Sequence, residues 1–297
     1  MTEPQKIIIT GANGFIGSEL AAHFAGKGWT VFALIHNMPA KNIQNVIYIK
    51  YDLADPVEEY CFEEANYLIH CAYVKHDKKK NAGQLNIDGT IRLLNAGRKH
   101  QLQKIIFLSS MSAREDAKSH YGIQKFKLEK LFNTGNDCII RPGLVIGNGG
   151  LLKNMVDFIK KYKIAPLING GRQPVQTLFI GDLVKAVNHI FLKDLTGKFI
   201  VAEKNAVSYR EFYTALFAKL GMKSKFLPVS YALLMAVLNV SDRFGIRLPV
   251  SKENLLGLKN LSEADVANDL NTLEINPLNY LESIQKTDFV PPHTIIV

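Results

Sequence analysis

Cysteine is scarce in this sequence: Cys61, Cys71 and Cys138 are the only three in 297 residues. Their spacing fits neither a metal-ligand pattern nor a disulfide framework. The chain is therefore expected in a reducing compartment and without a bound metal. No charged-then-apolar leader opens the sequence, which adds to the expectation of a cytoplasmic location. Long apolar runs are also missing. The longest, L-P-V-S-Y-A-L-L-M-A-V-L-N-V at 227–240, is too short to span a bilayer and is followed by Asp242. It reads as a packed helix, or as an apolar face that docks a partner, rather than as a membrane span. Repeats and low-complexity segments are absent too, and 47% hydrophobic with 21% charged residues is the balance of an ordinary globular chain.

Acids are outnumbered by bases, 27 against 36, giving a net charge of +9. This excess does not read as nucleic-acid binding. The lysines are scattered apart from Lys78–Lys80 and Lys160, Lys161 and Lys163, and no aromatic residues interleave with them to form a strand-binding groove. A basic surface suits an anionic cofactor or a small anionic substrate instead.

What the sequence does contain is alternation. Short, nearly continuous apolar runs lie at 6–10, 30–35, 46–50, 67–71, 104–108 and 138–141. Such runs mark strands buried on both faces of a parallel sheet. Helical patterns fall between several of them, at about 14–27, 83–99 and 119–133. The expected fold is α/β, a Rossmann-type doubly wound parallel sheet over residues 1–148. Beyond 150 the pattern loosens, with helices near 150–162, 181–193, 208–220 and 229–244 and strands at 176–180 and 197–201. Residues 149–297 are expected to form a smaller, mostly helical substrate-binding region, with 176–193 packing back onto the main sheet.

The first strand runs into Gly11-Ala12-Asn13-Gly14-Phe15-Ile16-Gly17, and a helix follows. In this context Gly11 allows the tight turn, Gly14 lets the backbone approach a pyrophosphate, and Gly17 lets the helix pack against the sheet. The helix amino terminus then offers N–H groups and a positive dipole end to the phosphates. An acid some 20 residues on normally accepts from the ribose 2′-hydroxyl of NAD. Here no Asp or Glu occurs from 20 to 51, and the second strand ends Ile35-His36-Asn37 with Lys41 nearby. This predicts NADP in preference to NAD, with His36 near the 2′-phosphate. Asp52, after the third strand, is a candidate acceptor for the adenine amino group, or alternatively a cap for the segment that follows.

Later the chain reads F-L-S-S-M-S-A and then S-H-Y-G-I-Q-K at 119–125. On a helix, Tyr121 and Lys125 lie one turn apart on one face. An ammonium beside a phenol favours the phenolate, so Tyr121 is expected to have a lowered pKa and to act as a general acid/base on a carbonyl or carbinol. A serine at the strand end would bind the same oxygen.

These features resemble the short-chain dehydrogenase/reductase superfamily, in particular its extended or atypical branch, the NAD(P)-dependent epimerase/dehydratase family. The resemblance runs from about 6 to 190. It rests on T-G-A-N-G-F-I-G, on H-C-A at 70–72, on N-I-D-G-T-I-R-L-L-N-A at 86–96, on R-P-G-L-V-I-G at 141–147 and on F-I-G-D-L-V-K-A-V at 179–187. It implies Tyr121 as acid/base, Lys125 as the residue that tunes it and binds the nicotinamide ribose, and Ser110 as the residue that orients the substrate oxygen, with Ser109 and Ser112 as rivals. It further implies cofactor contacts from Gly11, Asn13, Gly14, Phe15, Ile16, Gly17, Asp52, Leu53, Cys71, Ala72, Asn86, Pro142 and Gly143. Ser112, Arg172 and Gln176 are expected towards substrate. Nucleotide-sugar epimerases of this branch usually carry an arginine seven residues before the aspartate of the last motif; that position here is Val175. The expected activity is hydride transfer on a carbinol or ketone carbon of a nucleotide-activated sugar. The alternatives are reduction of a small carbonyl compound, or a non-catalytic NADP(H)-binding sensor or assembly factor. A homodimer through the helices at 83–99 and 119–133 is the usual arrangement in the superfamily.

Overall fold

A computed structural model describes residues 5–39, 42–75, 81–132, 135–243, 252–257 and 261–289. Lys41 and Lys78–Lys80 lie outside the described residues. The strands and helices of the first half are β1 (Lys6–Thr10), α1 (Phe15–Gly26), β2 (Thr30–Ile35), β3 (Val46–Lys50), α2 (Tyr60–Glu64), β4 (Tyr67–His70), α3 (Ala82–Lys99), β5 (Lys104–Leu108), α4 (His120–Glu129) and β6 (Asp137–Pro142). There follow β7 (Leu144–Ile146), α5 (Gly150–Tyr162), β8 (Ala165–Ile168), β9 (Pro174–Val175), β10 (Thr177–Phe179), α6 (Ile180–Leu192), β11 (Gly197–Val201), β12 (Val207–Ser208), α7 (Tyr209–Lys219), β13 (Phe226–Val229), α8 (Tyr231–Arg243), α9 (Lys252–Gly257), α10 (Ala267–Leu273) and α11 (Tyr280–Lys286).

The central sheet has seven strands in the order β11-β6-β5-β4-β1-β2-β3. The pairs within β1 to β6 are all parallel. This is the expected doubly wound α/β sheet, and its strand order reverses between β1 and β4, where such sheets bind ligands at their carboxyl ends. The cause is visible in β1. Ile7, Ile8 and Ile9 are all fully buried, so both faces of the strand are covered, and each side chain contributes about 1.5–3 kcal/mol by leaving water. The helix α3 buries Leu93 and Leu94 against the same core. It approaches closely because residue 89 is glycine: a Cβ there would stand 2.6 Å from Leu53 Cδ2.

Contacts divide the chain into two compact units. One comprises residues 1–115, 120–141 and 184–199, the other 116–119, 142–183 and 200–297. The second unit is mostly helical and has its own core of Ile146, Leu152, Val156, Ile159, Phe212, Leu216, Phe217 and Ile284. Its strands form two-stranded pairs, β10 with β7, β12 with β9, and β13 with β8. Two of its helices begin in capping boxes, Ser208 with Glu211 on α7 and Asn279 with Glu282 on α11. Of these short strands, β10 falls within the strand expected at 176–180; the others are invisible in the sequence, because two to four residues carry no readable periodicity.

Gln176 braces this unit. Its amide Nε2 donates to the carbonyls of Glu203 and Ala264 at 3.1 and 3.0 Å, and its Oε1 accepts from Ala264 N–H at 2.8 Å. All its hydrogen-bonding capacity is spent inside the protein. Gln176→Leu should therefore lower stability by about 2 kcal/mol, because a buried N–H and two carbonyls lose their partner. Denaturant titration of the variant checks this, and a change below a few tenths of a kcal/mol would contradict the brace.

Candidate active site

The glycine loop is built as tightly as its sequence implies. Gly11 sits at φ +65°, a conformation that favours glycine, and a Cβ there would lie 2.9 Å from the backbone nitrogen of Ala72 at the exit of β4. A Cβ on Gly17 would lie 2.3 Å from the Gly11 carbonyl oxygen, so the helix could not approach the loop with any larger residue. Gly14 caps α1 with extended backbone and no side-chain bond to the first turn. The opening N–H groups of α1 thus have no capping side chain, which fits a phosphate group. Asn13 is exposed beside them, while Phe15 and Ile16 are partly buried in the first turn.

Beneath the loop runs a chain of polar groups that is itself buried. Thr10 Oγ1 accepts from the backbone N–H groups of Cys71 and Ala72 at 3.2 and 3.1 Å and bonds His70 Nδ1 at 2.7 Å. With its lone pairs so engaged, the Thr10 hydroxyl donates to Nδ1. That assigns the His70 proton to Nε2, which donates to Thr90 Oγ1 at 3.0 Å. The chain joins β1, β4 and α3 and holds the exit of β4 against Gly11. Burial pushes His70 down to about 3, helped by the Lys125 charge, so it stays neutral. One turn before Thr90, Asn86 pins the segment after β4. Its Oδ1 accepts from Val74 N–H at 2.8 Å and its Nδ2 donates to the Val74 carbonyl at 2.9 Å. Asn86 can therefore serve a cofactor only through the backbone that it holds.

Helix α4 carries Tyr121, Lys125 and Glu129 at successive turns. Ser110 makes a hydrogen bond to Tyr121 that favours the phenolate. Ser110 Oγ also accepts from the Ser112 N–H at 3.1 Å. Ser109 goes elsewhere: it donates to Glu129 Oε1 at 2.5 Å. Glu129 also takes a bidentate pair from Arg141, at 2.7 Å from Nε and 2.6 Å from Nη2, and lies 3.3 Å from Lys198 Nζ. Burial would raise its pKa, but the bonds from Arg141 and Ser109 and the nearby cations outweigh this and hold it below the usual carboxylate value.

One expectation needs correction. Tyr121 was expected to be acidified by Lys125, but burial raises its pKa and only the Ser110 bond opposes that. The Lys125 ammonium points instead at the Leu108 carbonyl, 2.6 Å away, and lies over the rings of Phe107 and Tyr73 at 4.5 and 5.1 Å. Lys125 is 3% exposed, and burial lowers it to about 8, with the Glu129 carboxylate opposing the shift. Desolvation, which sequence spacing does not reveal, dominates both groups. Tyr73 closes the cluster, its ring edge-on to Tyr121 at 5.2 Å.

A glycine loop under a strand switch point, with a serine, tyrosine and lysine cluster behind it, agrees with the comparison to known proteins. The profile of the NAD dependent epimerase/dehydratase family matches residues 7–201. The chain belongs to this family. Its members are NAD-dependent enzymes of the extended short-chain type. A protein named as a putative UDP-glucose 4-epimerase, from Methanocaldococcus jannaschii, is 25% identical over 61% of this chain and 71% of its own. Among solved structures, MoeE5 in complex with UDP-glucuronic acid and NAD has a TM-score of 0.74 at 18% identity, covering 95% of this chain and 97% of its own. A UDP-N-acetylglucosamine 4-epimerase from Methanobrevibacter ruminantium, in complex with UDP-N-acetylmuramic acid, also gives 0.74 at 18% identity, covering 96% and 97%. At these identities the two structures are likenesses of fold.

The remaining expected residues of this family member fall into two groups. In the first unit, His36 is 66% exposed and its Nδ1 lies 3.3 Å from Asp52 Oδ2. Asp52 also accepts from Ala54 N–H at 2.9 Å. The stretch without acids is therefore not acid-free in space, since β3 delivers a carboxylate to the end of β2. Leu53 is buried in the core, and its carbonyl accepts from Arg92. Burial pushes the Cys71 thiol up to about 12, so it is not a thiolate. In the second unit, Pro142 ends β6 and Gly143 links it to β7, and a Cβ on Gly143 would stand 2.5 Å from the Gln176 carbonyl oxygen. Arg172 is exposed, and Gln176 is the buried brace described above rather than an exposed substrate ligand. Val175 is core, paired with Val207.

The expectations from sequence missed Glu129 and Arg141, and the signal was present. A glutamate eight residues after Tyr121 shares its helix face, and an inward acid on a packed helix needs a cation. They also missed the role of Thr10 and Thr90. The His70 chain has a measurable consequence. A histidine whose folded pKa is depressed contributes stability above its unfolded value of 6.5, and that contribution is lost as pH falls towards 3. Between pH 7 and 5 the His70 contribution should fall by about 2 kcal/mol, and the drop should disappear in His70→Gln; equal slopes for the two proteins in urea titrations would contradict it. Removing the Glu129 charge should be harsher. Glu129→Ala removes the carboxylate that Arg141 pairs with in a buried site and should cost about 3–5 kcal/mol, read as a lower thermal midpoint.

Proposed function

We propose that this enzyme interconverts a carbinol and a ketone carbon of a nucleotide-activated sugar, with Tyr121 moving the proton. The observation that carries the reading is the hydrogen bond between Ser110 and Tyr121, with Lys125 one turn further along the same buried helix face. When bound, a nicotinamide cofactor supplies or accepts a hydride at the same carbon. The Gly11–Gly17 loop and the start of α1 would hold its pyrophosphate. Lys125 would hold the nicotinamide ribose, and Cys71 and Ala72 would line its path. Burial keeps the Tyr121 phenol protonated in the ligand-free protein. It is thus prepared to donate to a developing alkoxide, with Ser110 holding the same oxygen and stabilising the phenolate left behind. Similarity to proteins named for UDP-sugars supports the substrate class.

A second reading has its own support. Val175 occupies the place where a pyrophosphate-clamping arginine is usual in this branch, and it is buried in the second core. That favours a small carbonyl substrate over a nucleotide sugar. Assays of UDP-hexoses against simple ketones and aldehydes, each with both cofactors, distinguish the two. NAD is the cofactor of the family. The preference for NADP expected from the acid-free stretch is opposed by the Asp52 carboxylate beside His36, which would repel a 2′-phosphate.

Three outcomes follow from this reading. Tyr121→Phe should lower kcat by about 10²–10⁴ while leaving NAD affinity intact, and full turnover would sink the mechanism. Activity should decline as pH rises through about 8, where the Lys125 ammonium is lost. Asp52→Asn should shift the ratio of NADP to NAD affinity towards NADP by roughly tenfold, the size of one lost repulsion near a surface; an unchanged ratio in a binding titration would remove Asp52 from cofactor choice.

A further inference from the structure

Helix α8 is apolar on two sides. Its inner face, with Tyr231, Leu234, Met235 and Leu238, packs on Ile168 and Leu255. Its outer face does not pack: Leu233, Val237 and Val240 are 60%, 44% and 57% exposed. These three recur at helical spacing and form one stripe. Leu227, in the strand that leads into the helix, is 50% exposed as well. A soluble surface rarely carries this much apolar area without a use.

Along the chain, the charge through this segment is one-sided, and Asp242 is the first acid after it. From residue 212 to 241 the chain contains no Asp or Glu, whereas it contains Lys219, Lys223 and Lys225. Lys223 and Lys225 are both exposed, immediately before β13. Lys219 donates to the Gln285 carbonyl at 2.7 Å. These lysines belong to a chain whose net charge is +9. An apolar stripe with exposed lysines in the segment that leads into it is complementary to an anionic lipid surface, where apolar side chains enter the acyl boundary and ammonium groups meet the headgroups. Spanning is excluded for α8, since 13 residues reach about 20 Å against a hydrocarbon core of about 30 Å. A protein partner fits less well: four apolar side chains fall far short of the roughly 20–30 residues a side in a stable interface.

We propose that β13 and α8 form a docking surface for an anionic membrane, on which the enzyme lies through Leu227, Leu233, Val237 and Val240 with Lys223 and Lys225 at the headgroups. This surface is independent of the reaction assigned above.

The test is vesicle cosedimentation of the full-length chain. Wild-type protein should pellet with phosphatidylcholine vesicles containing phosphatidylglycerol, far less with phosphatidylcholine alone, and release on added salt. Leu233→Glu with Val237→Glu should cut the partition coefficient at least about tenfold, through two lost apolar anchors and two added repulsions, with NAD binding unchanged. Lys223→Glu with Lys225→Glu, on a separate exposed segment, should also lose about tenfold or more and abolish the salt dependence. Three results would overturn the proposal: no binding of the wild type to anionic vesicles, equal binding by the Leu233/Val237 variant, or a solution dimer that this variant dissociates and that does not bind vesicles.

Discussion

The buried carboxylate of Glu129 is the constraint on which the geometry of the candidate site depends. It takes both arms of Arg141 from β6 and the Ser109 hydroxyl from the end of β5. Three elements that carry different parts of the site are thereby locked to one another. Ser109 is adjacent to Ser110, and Glu129 is one turn beyond Lys125, so the bond that fixes the scaffold also sets where Ser110 and Lys125 stand. A buried ion pair of this kind often adds little net stability, because desolvation offsets much of its attraction. Its use here is geometric: directional bonds hold atoms in place where apolar contacts would let them slide.

A second constraint acts at the switch point of the sheet. Thr10, His70 and Thr90 join the ends of β1 and β4 at the point where strand order reverses. They keep the β4 exit within van der Waals distance of Gly11, and that closeness is why residue 11 has no side chain. The loop, the polar chain beneath it and the uncapped start of α1 are therefore one device. Both constraints use buried polar groups that are fully partnered, in a fold whose net stability is small enough that each unsatisfied group counts.

Desolvation is what links this scaffold to chemistry. It raises the pKa of Tyr121 and lowers that of Lys125 to about 8, so the phenol keeps its proton while the ammonium loses its own more readily than a free lysine would. The price is a cluster of buried titratable groups whose charges the surrounding rings of Phe107 and Tyr73 and the carbonyl of Leu108 must tolerate.

By itself the sequence determined the architecture. Runs such as K-I-I-I-T at 6–10 can only be strands covered on both faces, and the glycines at 11, 14 and 17 can only follow such a strand into a helix. The spacing of Tyr121 and Lys125 likewise follows from the helical repeat, which is local. Pairwise choices across the chain were not legible. Ser109 and Ser110 look interchangeable in S-S-M-S, and only the fold turns one to Glu129 and the other to Tyr121. Gln176 is expected from the sequence to face substrate, but tertiary contacts bury it as a brace. The stretch from 20 to 51 has no acid, yet the parallel register of β2 and β3 brings Asp52 to His36. The pKa directions were decided last, because the local pattern records which groups are neighbours along the chain, while burial depends on everything that packs over them.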